Sequence, residues 1–182
     1  HASSAPPNCP LVLVFHGYSG TAQGIMDYSE FNMLAEEFGF AVCYPQGTLD
    51  GSNTSFFNVG YEFQNNQTVD DVAFVKGLVD SLQAMYSLSE QDVFSTGMSN
   101  GGDFSYMLAC QASETFKAIA PVAGMIMQDI MDDCNPFKEV SILEIHGTQD
   151  NVTYWQGDPN NNDGWGAYPS IPNTISFFTN MF

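Results

Sequence analysis

Basic side chains are nearly missing from this sequence: lysine and arginine together number 3 against 21 aspartates and glutamates in 182 residues, a formal charge of −18. Nothing here could neutralise a phosphate backbone or an anionic bilayer, so nucleic acid and membrane are excluded as partners and a neutral or weakly charged ligand is expected. Long apolar runs are lacking as well. None approaches the ~20 residues that span a bilayer, and no N-terminal stretch reads as a signal peptide. The four cysteines (Cys9, Cys43, Cys110, Cys134) show no C-x-x-C spacing, which argues against a zinc site, and no cofactor motif is present. Their even number suits disulfides in a secreted or periplasmic protein. Histidine is scarce too, at three: His1, His16 and His146.

What remains is a globular composition, 44% hydrophobic and 14% aromatic, without linkers or repeats, and residues 1–182 are expected to form a single domain. Five short runs, Leu11–Phe15, Phe40–Tyr44, Val93–Thr96, Ala118–Val122 and Ile142–Ile145, are mostly apolar rather than alternating, as parallel strands covered on both faces should be. Between them lie helical patterns. Phe31, Leu34, Ala35 and Phe38 share one face ahead of Gly39, and Val72, Val75, Val79, Leu82 and Tyr86 share another behind a capping box at Thr68-Val69-Asp70-Asp71. The fold class is therefore α/β: a mostly parallel central sheet with helices on both faces.

The segment Gly97-Met98-Ser99-Asn100-Gly101-Gly102 follows one such strand and opens into a helical pattern. A G-x-S-x-G in that setting is the nucleophile elbow of an α/β-hydrolase, so Ser99 is the expected nucleophile. The first oxyanion donor is then the backbone N–H of Asn100, and the loop after Leu11–Phe15 nominates the N–H of Tyr18 as the second. His16 is expected to be a structural hydrogen-bonding residue of that loop. Chain order places the triad acid after the elbow, at Asp150 in His146-Gly147-Thr148-Gln149-Asp150, although an aspartate in such a turn also caps backbone amides. The Gly/Ser/Asn-rich stretch Gln46–Gln67 leaves the ligand-binding end of a strand, which suggests Phe57 as a wall of the substrate cleft. Tyr154, Trp155 and Trp165, around the loop Gln156–Gly166, suggest a mobile aromatic lip rather than a calcium site, because proline occupies the place of the bidentate glutamate.

The ordered set Leu11-Val12-Leu13-Val14-Phe15-His16-Gly17, Tyr44-Pro45-Gln46-Gly47, Val69-Asp70-Asp71-Val72, the elbow, Leu108-Ala109-Cys110, Ala120-Pro121-Val122-Ala123-Gly124 and His146-Gly147-Thr148-Gln149-Asp150 resembles the bacterial polyhydroxybutyrate depolymerase and feruloyl esterase family. The resemblance runs from about Pro10 to the end of the chain. It implies an exported serine carboxylesterase acting on feruloylated or acetylated polysaccharide, on phenolic esters or on polyester. A catalytically silent module that binds such ligands is the alternative. The family's N-terminal hairpin and its C-terminal Gly-Gly-His-like segment, which bears the base, are not found here. The domain is accordingly expected to be incomplete at both ends and to lack its general base. No histidine follows Asp150, His146 is tethered too close to Asp150 to swing onto Ser99, and His1 belongs to the opposite end of the sheet. The segment Ser170–Phe182 is expected to leave Phe177, Phe178, Met181 and Phe182 uncovered. Cys110 and Cys134 are expected to form a disulfide. Cys9 and Cys43 lie in neighbouring strand regions and could pair, but Cys43 in mid-strand suits a buried thiol.

Overall fold

The computed structural model describes residues 6–181, so His1 and Phe182 lie outside the described residues. In chain order, β1 (Leu11–Phe15) is followed by α1 (Ala22–Ser29), α2 (Phe31–Phe38) and β2 (Ala41–Cys43). A short antiparallel pair, β3 (Thr48–Leu49) and β4 (Ser55–Phe56), precedes α3 (Asp71–Tyr86), β5 (Val93–Met98) and α4 (Asn100–Gln111). Then come β6 (Ala118–Val122), α5 (Gln128–Asp132), β7 (Ser141–Ile142) and α6 (Ile171–Met181).

The main sheet is wholly parallel, with strand order β2-β1-β5-β6-β7. The first described strand, β1, lies in the interior of the sheet; the chain then moves to one edge and returns to the other side of β1. The loops leaving β1 and β5 therefore diverge at a topological switch point, and open α/β sheets take ligands outside the carboxyl ends of their strands at such points.

Alternation along β1 shows why both faces are apolar. Leu11, Leu13 and Phe15 enter a core with Val75 and Val79 of α3 and with Phe104 and Leu108 of α4. Val12 and Val14 turn the other way, onto Ile25, Ala35 and Val42 beside α1 and α2. Each such fully buried side chain contributes about 1.5–3 kcal/mol of transfer free energy.

Local expectations fare unevenly. Gly39 closes α2 at φ 75°, as the pattern predicts, yet Leu34 and Phe38 of the supposed core face are exposed and only Ala35 is buried. The N-cap of α3 is Asp70, which accepts the Ala73 N–H at 2.8 Å, rather than Thr68. The next residue, Asp71, is buried and accepts the Asn58 N–H at 2.7 Å, which ties the long loop to this helix. The last strand is shorter than its apolar run. Only Ser141 and Ile142 ladder with β6, and Ile145 returns through an isolated bridge to Val122. The helix α6 is better covered than expected, since Phe178 is buried and stacks on Tyr106 with ring centroids 5.7 Å apart.

Cys110, in the last turn of α4, is disulfide-bonded to Cys134, with their Cα atoms 4.9 Å apart, while Cys9 and Cys43 are free. A crosslink spanning 24 residues should stabilise the fold by about 3 kcal/mol in the loop-entropy account. Thiol titration of the denatured, unreduced chain is expected to find two thiols. Four would refute the bridge.

Candidate active site

The strand β5 delivers Ser99 at its carboxyl end, and α4 begins at the next residue. Ser99 has φ 54° and ψ −122°, a conformation that a residue with a Cβ adopts only when its surroundings impose it. The surroundings here are glycines. A Cβ on Gly97 would lie 2.6 Å from the Gly101 carbonyl group, and one on Gly101 would lie 2.3 Å from the Phe15 carbonyl oxygen. The turn is fixed on both sides by backbone hydrogen bonds: the Ser99 N–H donates to Val122 O and the Asp103 N–H donates to Ser99 O, both at 2.9 Å.

The loop after β1 lies against this turn. A Cβ on Gly17 would sit 3.5 Å from Ser99 Cβ, so the His16–Tyr18 backbone passes directly beside the serine. Among the described residues the Tyr18 N–H meets no acceptor. The Asn100 N–H, in the first turn of α4, has no intrahelical partner either. Two backbone donors thus flank the serine at the positive end of a helix, an arrangement suited to an anion developing at that point.

His16 is buried and fully engaged. Its Nδ1–H donates to Gly17 O at 2.8 Å and its Nε2 accepts the Gly47 N–H at 3.0 Å. Burial pulls its pKa down, against the opposing pull of the Gly17 carbonyl, and the neutral ring staples the β1 loop to the stretch after β2. The structural role expected of it is what the contacts show.

The Asn100 side chain does something the sequence did not signal. Its Oδ1 accepts the Phe57 N–H at 2.7 Å and its Nδ2 donates to Phe57 O at 2.9 Å, and the same Nδ2 also reaches the Tyr61 hydroxyl at 3.2 Å. It pairs with a peptide 43 residues away as another strand would. Phe57 is consequently fully buried among Phe15, Phe104 and His16, so it is a core residue and not a cleft wall. Tyr61 also donates to Asp103 of α4, whose other oxygen accepts the Met125 N–H at 2.7 Å. Burial raises Asp103 to about 7, although both of those donors favour its charged form.

The expected aromatic lip separates into two groups. Trp165 stands edge-on to Tyr18, Tyr61 and Phe63 at 5.8, 5.1 and 5.3 Å, next to the loop that bears the free N–H. Trp155 instead faces the His146 ring at 6.1 Å, and the Tyr154 N–H donates to the Tyr168 hydroxyl at 3.1 Å. The intervening loop is tied down rather than free. Asp158 accepts the Asp163 N–H and the Asn162 amide, and the Gly166 N–H is held by Asn161.

Asp150 turns one oxygen, Oδ1, to the N–H groups of Val152 (2.8 Å) and Thr153 (3.0 Å). The other, Oδ2, lies 3.9 Å from His146 Nε2. The His146 ring has no exposed surface, with Nδ1 at 3.0 Å from Glu144 Oε1 and Nε2 at 2.8 Å from Thr153 O. Neither His16 nor His146 is hydrogen-bonded to the serine.

A family model described as Esterase PHB depolymerase matches residues 2–152. The chain belongs to this esterase family. Within it, the chain is 28% identical over 154 residues to the bifunctional acetylxylan esterase/xylanase XynS20E of Neocallimastix patriciarum, covering 85% of this chain and 21% of that protein. It is also 28% identical over 150 residues to feruloyl esterase B of Piromyces equi, covering 81% and 27%. This family member thus spans less than half the length of these curated relatives. The structure of esterase PE8 shares its fold, with a TM-score of 0.69 at 16% identity over 96% of this chain and 79% of that one.

Proposed function

We propose that this chain hydrolyses carboxylic esters through an acyl-enzyme on Ser99. The observation that carries the reading is the serine itself, held at φ 54° beside a loop whose Tyr18 N–H meets no acceptor among the described residues. The hydroxyl attacks the ester carbonyl as a general base takes its proton, the Tyr18 and Asn100 amides receive the oxyanion, and the alcohol leaves with that proton. Water then resolves the acyl-enzyme through the same two donors. Asp150 is assigned as the acid that orients the base. Neither His16 nor His146 is placed to act as that base, because both nitrogens of each of those rings already have partners.

The names of the relatives favour acetyl or feruloyl esters on polysaccharide as substrates, and the family description adds polyester. Trp165, with Tyr18 and Phe63, offers an aromatic surface next to the oxyanion loop for a sugar or phenolic ring. A net charge of −18 suits an uncharged ester and repels polyanions. The disulfide supports export to an oxidising compartment. No helix among the described residues is long and apolar enough to cross a membrane.

One observation favours a second reading, a silent ester- or glycan-binding module: neither described imidazole meets Ser99. A fluorophosphonate probe separates the two readings. Stoichiometric phosphonylation mapped to Ser99 is expected for the esterase, and a protein that binds ligand but stays unlabelled would be the silent module.

A further inference from the structure

The strand-end segment Glu144-Ile145-His146 places two ionisable side chains on one face by simple alternation, and both are buried: the Glu144 side chain is 8% exposed and that of His146 is 0%. A buried carboxylate and imidazole need partners, and here each has them. The Tyr106 hydroxyl of α4 donates to Glu144 Oε2, and Glu144 Oε1 takes His146 Nδ1 at 3.0 Å. On the far side of the ring, Nε2 lies 2.8 Å from the Thr153 carbonyl oxygen, in the turn that also carries Asp150. The Thr153 N–H in turn donates to Asp150 Oδ1. A continuous path therefore runs from α4 through Glu144 and His146 to the acid's own carboxylate.

The protons on the ring decide what this path does. Both of its neighbours, a carboxylate oxygen and a backbone carbonyl oxygen, are acceptors only. A neutral imidazole has one N–H and can satisfy one of them; the imidazolium satisfies both. We infer that Glu144 is a positioning residue: it holds the second proton on His146, and through that ring it fixes the turn that presents Asp150. The inference rests on reading Asp150 as the triad acid.

The charged and titratable groups facing the ring agree. Glu144 lies on its own strand. Asp150, with Oδ2 at 3.9 Å, and the Thr153 carbonyl lie in the following turn, and Asp103 of α4 is near enough to interact with it electrostatically. Trp155 closes the ring off at 6.1 Å. Burial opposes charging of the ring, but the hydrogen bonds to Glu144 and Thr153 and the charges of Glu144 and Asp150 outweigh it and raise the His146 pKa above 6.5. A histidine whose folded pKa is raised contributes stability that is fully present below its unfolded value. That stability is lost as pH rises through the folded value.

The test reads the ring and the turn without relying on turnover. Nitrogen-15 NMR of the His146 ring is expected to show both nitrogens protonated at pH 6.5, the ordinary imidazole value, with one proton lost at higher pH. Hydrogen-exchange protection of the Val152 and Thr153 amides, corrected for intrinsic exchange, is expected to fall in the same pH window. The fall should be about tenfold for each unit by which the pKa is raised. Glu144→Gln keeps the shape and removes the charge, so both transitions should move to lower pH together. A ring already neutral at pH 6.5 overturns the inference, as does amide protection that ignores the ring's titration or a Glu144→Gln variant in which neither transition moves. If that variant does not fold, the unmodified chain decides alone. An error in assigning Asp150 as the acid would show only in the kinetics of Asp150 variants, leaving these titrations as expected.

Discussion

Ser99→Ala is expected to abolish ester hydrolysis while leaving the fold intact. The serine's side chain has no capping hydrogen bond in α4, and alanine keeps the Cβ that the turn already accommodates, so little structure depends on the hydroxyl. In the enzyme complete with its general base, its loss removes the covalent step altogether, with an expected fall in kcat on the order of 10⁶-fold, to the level that an oxyanion hole and binding sustain alone. Initial rates on short-chain nitrophenyl, acetyl and feruloyl esters, read beside thermal unfolding of the same preparations, check both halves. A folded variant that still turns over at a rate near the parent's would place the nucleophile elsewhere.

The second large effect is expected from Asp150→Asn. Asparagine retains an oxygen able to accept the Val152 and Thr153 N–H groups, so the turn should survive and only the charge is removed. If Asp150 is the triad acid, kcat falls on the order of 10⁴-fold, because the base is left without the carboxylate that selects its tautomer and stabilises its cation. KM changes little, since Asp150 is assigned no contact with the ester. Asp150→Ala should lose the turn as well, and with it thermal stability. Near-normal kcat in the asparagine variant would reduce Asp150 to a turn-capping residue.

The sequence was most informative where the chemistry is local. Gly97-Met98-Ser99-Asn100-Gly101 announces its geometry because close backbone approach leaves glycine as the only residue that fits at positions 97 and 101. The boundaries of β1 and β6 coincide with their apolar runs, since both lie inside a sheet with neighbours on either side. At β7 the apolar run was a poorer guide. Strand β7 is an edge, and regular pairing stops after two residues although the apolar residues continue to Ile145.

Long-range pairing was the part that could not be read. Phe57 sits in a Gly/Ser/Asn-rich stretch that looks like exposed loop, and the Asn100 amide, distant in sequence, draws its backbone inward. The partnership of Glu144 with His146 did leave a trace, an acidic residue two positions before a histidine on a strand. Its burial depends on Tyr106 from another element. The apolar stripe of α2 is a real periodicity, but Leu34 and Phe38 remain exposed because periodicity does not say what lies opposite.

The positive φ of Ser99 bears on how such a chain can change over evolutionary time. A non-glycine residue in that region costs on the order of 1–3 kcal/mol, a strain that glycine at the same position would relieve. On the proposed assignment of Ser99 as nucleophile, folding stability and chemistry select in opposite directions at this one residue. A lineage released from its ester substrate would be expected to exchange the serine early and become more stable in doing so, with the sheet, the glycines and the Asn100 clamp left in place around it.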